Sequence, residues 1–460
     1  EATAYEEVVM ALTGIEIFKL LPKTNCQECG VPTCMAFAVK LAAGQAELDS
    51  CPYVSKESRE KLEEASAPPI RPVVIGSGED ALKIGGETVM FRHEKTFVNK
   101  PGIGLLVTDA MSDAELESRL GTFKALEYER VGLRLKADIV AVKDTSGDAG
   151  KFAGVVEKVR GAGIKNLVVM SDKTESLKAA VKAAADCKPL IYAATNGNLE
   201  ELGNLALEHN CPLAVKGNGL DEVAAMTARL TEMKLKDIVV DTGARKLSQA
   251  FQDHILMRRA ALIDRFRPLG FPTIVFPCEM TDDPVQEALI ASTFIPKYGG
   301  ILILSTVEGH NLFPLALQRM NIYTDPQRPM ATTEGIYEIN NPDENSPVLI
   351  TSNFSLTYFI VSGEVESSRV PAWLLIKDTE GLSVLTAWAA GKFVADAIAP
   401  FVKKCGIEGK IKHRKLIIPG AAATISGELD EELRDWEVQI GPREAAHITP
   451  FLKNLTSGKA

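Results

Sequence analysis

No apolar run in this 460-residue chain approaches the roughly 18 residues that a bilayer-spanning helix needs, so such a helix is excluded. Cysteine is scarce: there are eight, far below the density of a disulfide scaffold. Positive charge is in deficit, with 51 Lys and Arg against 61 Asp and Glu. The net charge of −10 argues against nucleic acid and against anionic membranes as partners. No G-x-G-x-x-G follows any strand-like run of the C-terminal third, which removes the fingerprint of a dinucleotide site there. The opening Glu1-Ala2-Thr3-Ala4 lacks an initiating Met and the basic-then-apolar pattern of a secretory signal. We therefore expect a few residues to be missing or processed, and the protein to be cytoplasmic.

What is present is 46% hydrophobic and 24% charged residues, the balance of a globular protein with real cores, long enough for two to four domains. Half of the cysteines fall in one motif. Cys26-x2-Cys29-x4-Cys34 is followed after sixteen residues by Cys51-Pro52. Three thiols in a loop tightened by Gly30 and Pro32, plus a remote Cys-Pro, is the pattern that converges four thiolates on an iron–sulfur core. A structural zinc site is the alternative, but zinc usually takes two similar short knuckles and only one is present. Cys187, Cys211, Cys278 and Cys405 lie in apolar stretches and read as buried thiols of a reduced compartment.

The chain divides by texture. Residues 1–57 form a cluster domain, with an amphipathic helix over Thr13–Leu21 and a second from Cys34 to Gly44, preceded by Thr33, that carries Phe37 and Leu41 on one face. Residues 58–92 hold a charged segment, the stiff Ala67-Pro68-Pro69 and two strand-like runs, Val73–Ile75 and Thr88–Phe91, expected to pair as a hairpin. Residues 93–325 repeat short apolar runs, each followed by a helix-like stretch: Ile103–Val107, Ile139–Val142, Leu167–Met170, Leu190–Ala193, Leu213–Val215, Ile238–Val240, Thr273–Phe276 and Ile301–Leu304. Continuously apolar strands alternating with helices give a parallel sheet covered on both faces, and eight such units predict a TIM (β/α)8 barrel. Polar residues such as Asp109, Asp144, Ser171, Asn196 and Asp241 follow these strands and could line its functional face. Turn and cap chemistry explains them equally well, and no nucleophile–base pair stands among them. Residues 326–460 begin in loop-forming text and then carry strands at Val348–Ile350, Trp373–Ile376, Lys415–Ile418 and Trp436–Ile440. This predicts an open α/β sheet of Rossmann or flavodoxin type, with its ligand at the carboxyl ends of the strands.

The order of these parts resembles the large subunits of the corrinoid/iron–sulfur proteins of the acetyl-CoA (Wood–Ljungdahl) pathway. The phrases Asn25-Cys26-x-Glu28-Cys29-Gly30, Pro212–Gly219, Asn353–Tyr358, Asp378–Ala387 and Gly441–Ala445 carry the resemblance. It implies that Cys26, Cys29, Cys34 and Cys51 bind a 4Fe-4S cluster. It also implies that Thr351, Thr357, Gly381, Leu382, Ser383, Val384 and Ala445 contact a cobamide, with Thr386 near the lower face of the corrin. The implied partners are a small subunit forming a heterodimer, a methyltetrahydrofolate methyltransferase, acetyl-CoA synthase/CO dehydrogenase and a low-potential electron donor. The implied role is a methyl carrier in anaerobic CO/CO2 fixation: Co(I) takes a methyl group and passes it on, and the cluster returns Co(II) to Co(I). The chain would take part in methyltransferase reactions without a catalytic site of its own, its barrel serving mainly as scaffold. The alternative is a corrinoid methyltransferase that binds methyltetrahydrofolate in its own barrel.

The histidines are consistent with that role. None of His93, His209, His254, His310, His413 and His447 lies in Asp-x-His-x-x-Gly, the motif by which many cobalamin proteins supply a lower ligand. A cobalt without that donor is easier to reduce. His413, in a charged stretch, is expected to be solvated. One cobalt must meet several partners, so Pro68-Pro69 and residues 323–347 are the expected joints.

Overall fold

The computed structural model describes residues 14–42, 46, 48–59, 62, 67–130 and 133–457. Two compact units divide the chain, one running to Tyr128 and over Arg134–Tyr323, the other comprising Glu129–Leu133 and the chain from Thr324. Among the described residues no helix is long and apolar enough to cross a membrane.

The N-terminal segment contains α1 (Gly14–Leu20) and α2 (Cys34–Ala42). The Thr33 hydroxyl accepts the Ala36 N–H at 3.1 Å and starts α2, which turns Phe37 and Leu41 inward as their spacing requires. They join Ile17, Leu21, Leu48 and Leu62 in a small core that also takes in Cys34 and Cys51.

The chain then forms a hairpin of β1 (Val73–Ile75) and β2 (Leu82–Ile84), antiparallel with Val73 opposite Ile84. Thr88–Phe91 is not the second strand, contrary to the sequence expectation. Gly85 and Gly86 both take positive φ and turn the chain away. A side chain on Gly85 would lie 2.2 Å from the Arg71 carbonyl. The Met90 and Phe91 amides are spent on the Glu94 carboxylate instead of a ladder.

Next comes β3 (Gly102–Thr108), then a two-stranded arm, β4 (Glu127–Arg130) and β5 (Leu133–Lys136), that the apolar pattern did not reveal. Seven parallel strands follow: β6 (Ile139–Lys143), β7 (Leu167–Met170), β8 (Leu190–Ala194), β9 (Leu213–Lys216), β10 (Ile238–Asp241), β11 (Ile274–Val275) and β12 (Ile301–Leu304). With β3 they make one eight-stranded sheet in the order β10-β9-β8-β7-β6-β3-β12-β11. A single parallel bridge between Val240 and Thr273 joins its two ends and brings the barrel almost to closure. Inside, Ile139, Val168, Leu190, Ala214, Val239 and Ile303 fill the lumen, and Val73, Ile75 and Ile84 of the hairpin cap its lower end. Gly104 is required here, because a methyl group at that position would stand 2.6 Å from Ile303 Cδ1 and 2.9 Å from Ile139 Cγ2.

The second unit is a five-stranded sheet: β13 (Gly335–Ile339), β14 (Val348–Ser352), β15 (Ala372–Lys377), β16 (Lys415–Ile418) and β17 (Glu437–Ile440). Its order is β13-β15-β14-β16-β17, all parallel except the antiparallel edge β13. Stretch 323–347, read as a loop and joint, thus contains a paired strand. The alternation of β14 sorts Val348 and Ile350 into a core with Phe393 and Ile398 on one face, and Leu349 into a core with Val365 and Leu452 on the other. Helices therefore cover both faces.

Two further expectations are amended. Cys187 and Cys211 are buried, but Cys278 and Cys405 are only partly so. His413 is not simply solvated: its Nε2 lies 2.9 Å from the Ser346 carbonyl and its Nδ1 3.2 Å from the Lys415 amide, so the ring pins a turn.

Asp109, buried at the end of β3, ties that strand to the loop after β6. Its Oδ1 accepts the Thr145 amide at 2.8 Å and hydroxyl at 2.5 Å; its Oδ2 accepts the Ser146 hydroxyl. Burial alone would raise its pKa, but the hydrogen bonds from Ser146 and Thr145 outweigh burial and hold it at about 2. A carboxyl held below its unfolded pKa of about 3.8 stabilises the fold fully above pH 4 and stops doing so as pH falls through about 2. Asp109→Asn is therefore expected to cost about 2 kcal/mol at neutral pH and to flatten the loss of stability between pH 4 and 2, read from urea midpoints of the barrel unit.

Candidate functional site

Two places concentrate the predicted site residues. The first is the cysteine loop. Asn25 Oδ1 accepts the Cys34 amide at 2.8 Å, closing the loop across nine residues, and Gly30 N–H bonds the Gln27 carbonyl at 2.9 Å. Tyr53 donates its hydroxyl to Glu28 at 2.8 Å and so ties the Cys51-Pro52-Tyr53 segment to the same loop. Lys23, Asn25 and Gln27 all hold positive φ, as does Gly30. Left-handed conformations cost non-glycine residues on the order of 1 kcal/mol each, and coiled loops of this kind turn amides toward an anionic core. Cys34 and Cys51 are buried, Cys29 is packed at their edge and Cys26 is exposed. The structure brings three of the four cysteines to one small core. It does not draw the sulfurs to a point: among the described residues no three Cys, His, Asp or Glu side chains are grouped closely enough to hold a metal ion. Soft thiol donors and a coiled backbone nonetheless fit an iron–sulfur core and suit magnesium or calcium poorly.

The second place is a cleft of about 290 Å³ at the carboxyl ends of β14 and β16. The chain leaves β14 for β15 on one side and β16 for β17 on the other, so the cleft opens where the strand order reverses, where open α/β sheets bind ligands. Thr351, Thr357, Ser383, Val384 and Ala445 line it. Gly381, Leu382 and Thr386 do not. Gly381 is buried against Pro329, Leu382 packs on the core beneath, and Thr386 is exposed, its hydroxyl 3.0 Å from that of Ser383. Thr351 Oγ1 is buried without a hydrogen-bond partner, as are Ser352 Oγ and Ser355 Oγ beside it. A buried hydroxyl left unpaired costs about 1–3 kcal/mol, so the unpaired Thr351 fits a ligand that supplies the missing partner. No histidine lines the cleft.

Beyond Val384 and Ala445, sequence reasoning missed the apolar side of this site. Ile360, Leu385 and Ile417 line it with no polar signal. Helix Ser355–Ser368 carried the readable clue: Leu356 and Ile360, four apart, remain exposed at 57% and 47% beside an otherwise buried face. Asn353 was also passed over. Its amide holds the loop that delivers Ser383 and Val384 to the cleft.

Comparison with known proteins shows the family to which the chain belongs. The family model of the CO dehydrogenase/acetyl-CoA synthase delta subunit matches residues 72–452, and a model for an Fe-S cluster segment matches residues 21–53. The corrinoid/iron–sulfur protein large subunit of Moorella thermoacetica is 46% identical over 97% of this chain and 100% of its own. The acetyl-CoA decarbonylase/synthase complex subunit gamma of Methanothermobacter thermautotrophicus is 36% identical over 97% of this chain and 100% of its own. The chain belongs to the corrinoid/iron–sulfur protein large-subunit family. The Fe-S match spans all four motif cysteines, and the larger match spans both the barrel and the cleft. Membership in the family thus covers both candidate places.

Proposed function

We propose that this chain is the cofactor-bearing large subunit of a methyl carrier in the acetyl-CoA pathway, holding a 4Fe-4S cluster on Cys26, Cys29, Cys34 and Cys51 and a cobamide in the cleft of a Rossmann-like C-terminal domain. The observation that carries the reading is end-to-end kinship with a corrinoid/iron–sulfur protein large subunit, coinciding with a strand-end cleft whose wall hydroxyl has no partner. When bound, the cobamide supplies a cobalt that accepts and releases methyl, and the cluster supplies the electron that restores it.

The residues of this chain bind and orient. Thr351 and Ser383 would offer hydroxyls to polar groups of a bound cobamide, while Val384, Leu385 and Ile360 would cover its apolar surface and keep water away. No imidazole stands in the lining, so a cobamide held there would find no histidine donor in this cleft. The apolar rim at Leu356, Leu385 and Trp388 suits a partner subunit that completes the cofactor's enclosure. The further partners are a methyltetrahydrofolate methyltransferase, acetyl-CoA synthase/CO dehydrogenase and a low-potential electron donor.

Metal analysis of the chain co-expressed with its small subunit tests this. Iron and cobalt are both expected, and the Co(II) form should show no nitrogen superhyperfine splitting from a protein ligand in its paramagnetic resonance spectrum. A preparation without cobalt, or one with that splitting, would overturn the reading of the cleft.

A further inference from the structure

The mouth of the barrel holds a site of a different kind. Asp241 ends β10, almost fully buried, with Tyr192 of β8 donating its hydroxyl to Asp241 Oδ2 at 2.5 Å. The guanidinium of Arg245 lies across them. Its Nη1 and Nη2 donate to the two oxygens of Asp241 at 3.1 and 2.8 Å. Its Nε donates to Glu279 at 2.6 Å. The remaining Nη hydrogens reach the Ala244 carbonyl and the Tyr192 oxygen, both at 3.2 Å. All five donors of the fork are thereby used. The ring of Phe276 lies 5.0 Å from the guanidinium carbon, and Tyr192 meets that ring edge-on at 5.0 Å. Lys143 holds the other oxygen of Glu279 at 2.9 Å. A bidentate carboxylate, a second carboxylate, a phenol and an aromatic ring form a complete receptor for a planar, N–H-rich cation.

We propose that the barrel mouth is a binding site for planar amidine-type groups whose resident occupant is Arg245, an intramolecular ligand that keeps free ligands out of the barrel. A (β/α)8 barrel normally presents its strand-end carboxylates to substrate. Here Asp241 and Glu279 are neutralised by the chain itself, and any ligand with a guanidinium or 2-aminopyrimidine edge must first displace a tethered competitor present at high effective concentration. The barrel is therefore self-liganded rather than merely lacking groups for binding. This stands apart from the cobamide reading and would survive its failure.

Arg245→Ala tests it, with guanidinium ion as the probe. The variant complex is expected to melt about 5 °C below the wild type. Low-millimolar guanidinium chloride should recover a large part of that loss where equal sodium chloride does not, because a ligand that binds only the folded state stabilises it. Wild-type protein should bind the ion at least tenfold more weakly by calorimetry. Equal affinity in both proteins, or no recovery specific to guanidinium, overturns the proposal. Should the variant fail to fold, the wild type still decides. In arginine-labelled protein, the Nε proton of Arg245, assigned through its loss in Arg245→Lys, should exchange with solvent far more slowly than those of exposed arginines, and Glu279→Gln should speed it. Fast exchange in the wild type refutes a seated guanidinium.

Discussion

Replacing Cys51 by Ala is expected to remove nearly all iron from the protein and to unfold the N-terminal segment, while cobalt stays bound. Cys51 is 3% exposed and belongs to a core of only ten buried residues among those described. A core of that size cannot offset the conformational entropy of the segment, and on the proposed ligand set cluster binding supplies the difference. Metal-binding free energy is folding free energy in such domains, on the order of 10 kcal/mol for comparable small sites. On the proposed ligand set, loss of this interior thiol therefore removes both the cluster and one residue of that small core. Cys26→Ala should cost iron as well but disturb packing less, because Cys26 is exposed. Iron, sulfide and cobalt measured on one sample, with protease cleavage mapped over residues 14–59, separate the effects. In function, methyl transfer from pre-reduced protein should persist while reductive reactivation is lost. Retained iron with the segment still protected from protease would show that Cys51 is a core thiol and not a ligand.

The barrel could be read from the sequence because parallel strands covered on both faces must be apolar throughout. Leu167–Met170 and Ile301–Leu304 are buried at every position and stand out from any loop. Elements with one wet face left no such trace. Strand β13 is mostly half-exposed and lies between Pro329 and the Asn340-Asn341-Pro342 turn, so its text reads as a loop, and only pairing with β15 makes it a strand. Thr88–Phe91 shows the opposite error, where local β-propensity was overridden by two glycines that redirect the backbone.

The candidate site was legible residue by residue in its polar half, and in its apolar half only through the resemblance, at Val384 and Ala445. Thr351, Thr357 and Ser383 announce themselves as hydroxyls after strands, whereas Ile417 is indistinguishable from core until the cleft is seen beside it. Arg245 illustrates the limit more sharply. In Thr242-Gly243-Ala244-Arg245-Lys246 it reads as a solvated turn residue. Its partners Tyr192 and Glu279 lie 53 and 34 positions away; pairing through β9 brings Tyr192 to it, and the bridge that nearly closes the barrel brings Glu279.

Asn353→Ala is expected to loosen the loop 378–383 and weaken cobamide binding at least tenfold, with little change in iron. The side chain is 4% exposed. Its Oδ1 accepts the Thr379 amide at 3.0 Å and the Gly381 amide at 2.9 Å. The Thr379 hydroxyl, 2.9 Å away, is shared with the Leu382 carbonyl. Its Nδ2 donates to Asp378 at 2.8 Å. One amide thus links the end of β14 to the loop after β15 that brings Ser383 and Val384 to the cleft. Alanine leaves two buried N–H groups without acceptors at about 1–3 kcal/mol each, more than a short loop can bear in place, so the loop opens. Gly381→Ala attacks the same loop from the other side. Gly381 holds φ at +76°, and an added methyl would stand 2.9 Å from the Pro329 carbonyl. It should give the same phenotype without touching Asn353. Asn353→Asp keeps the acceptor but sets a carboxylate against Asp378, so it should recover part of the binding and more of it at lower pH, where one of the two carboxyls is protonated. Cobalt retained after dialysis reports the cleft, and hydrogen exchange at the amides of 379–383 reports the loop. If cobalt is lost while those amides stay protected, Asn353 acts on the cofactor directly. If both persist, helix packing alone holds the cleft and the asparagine is not its pin.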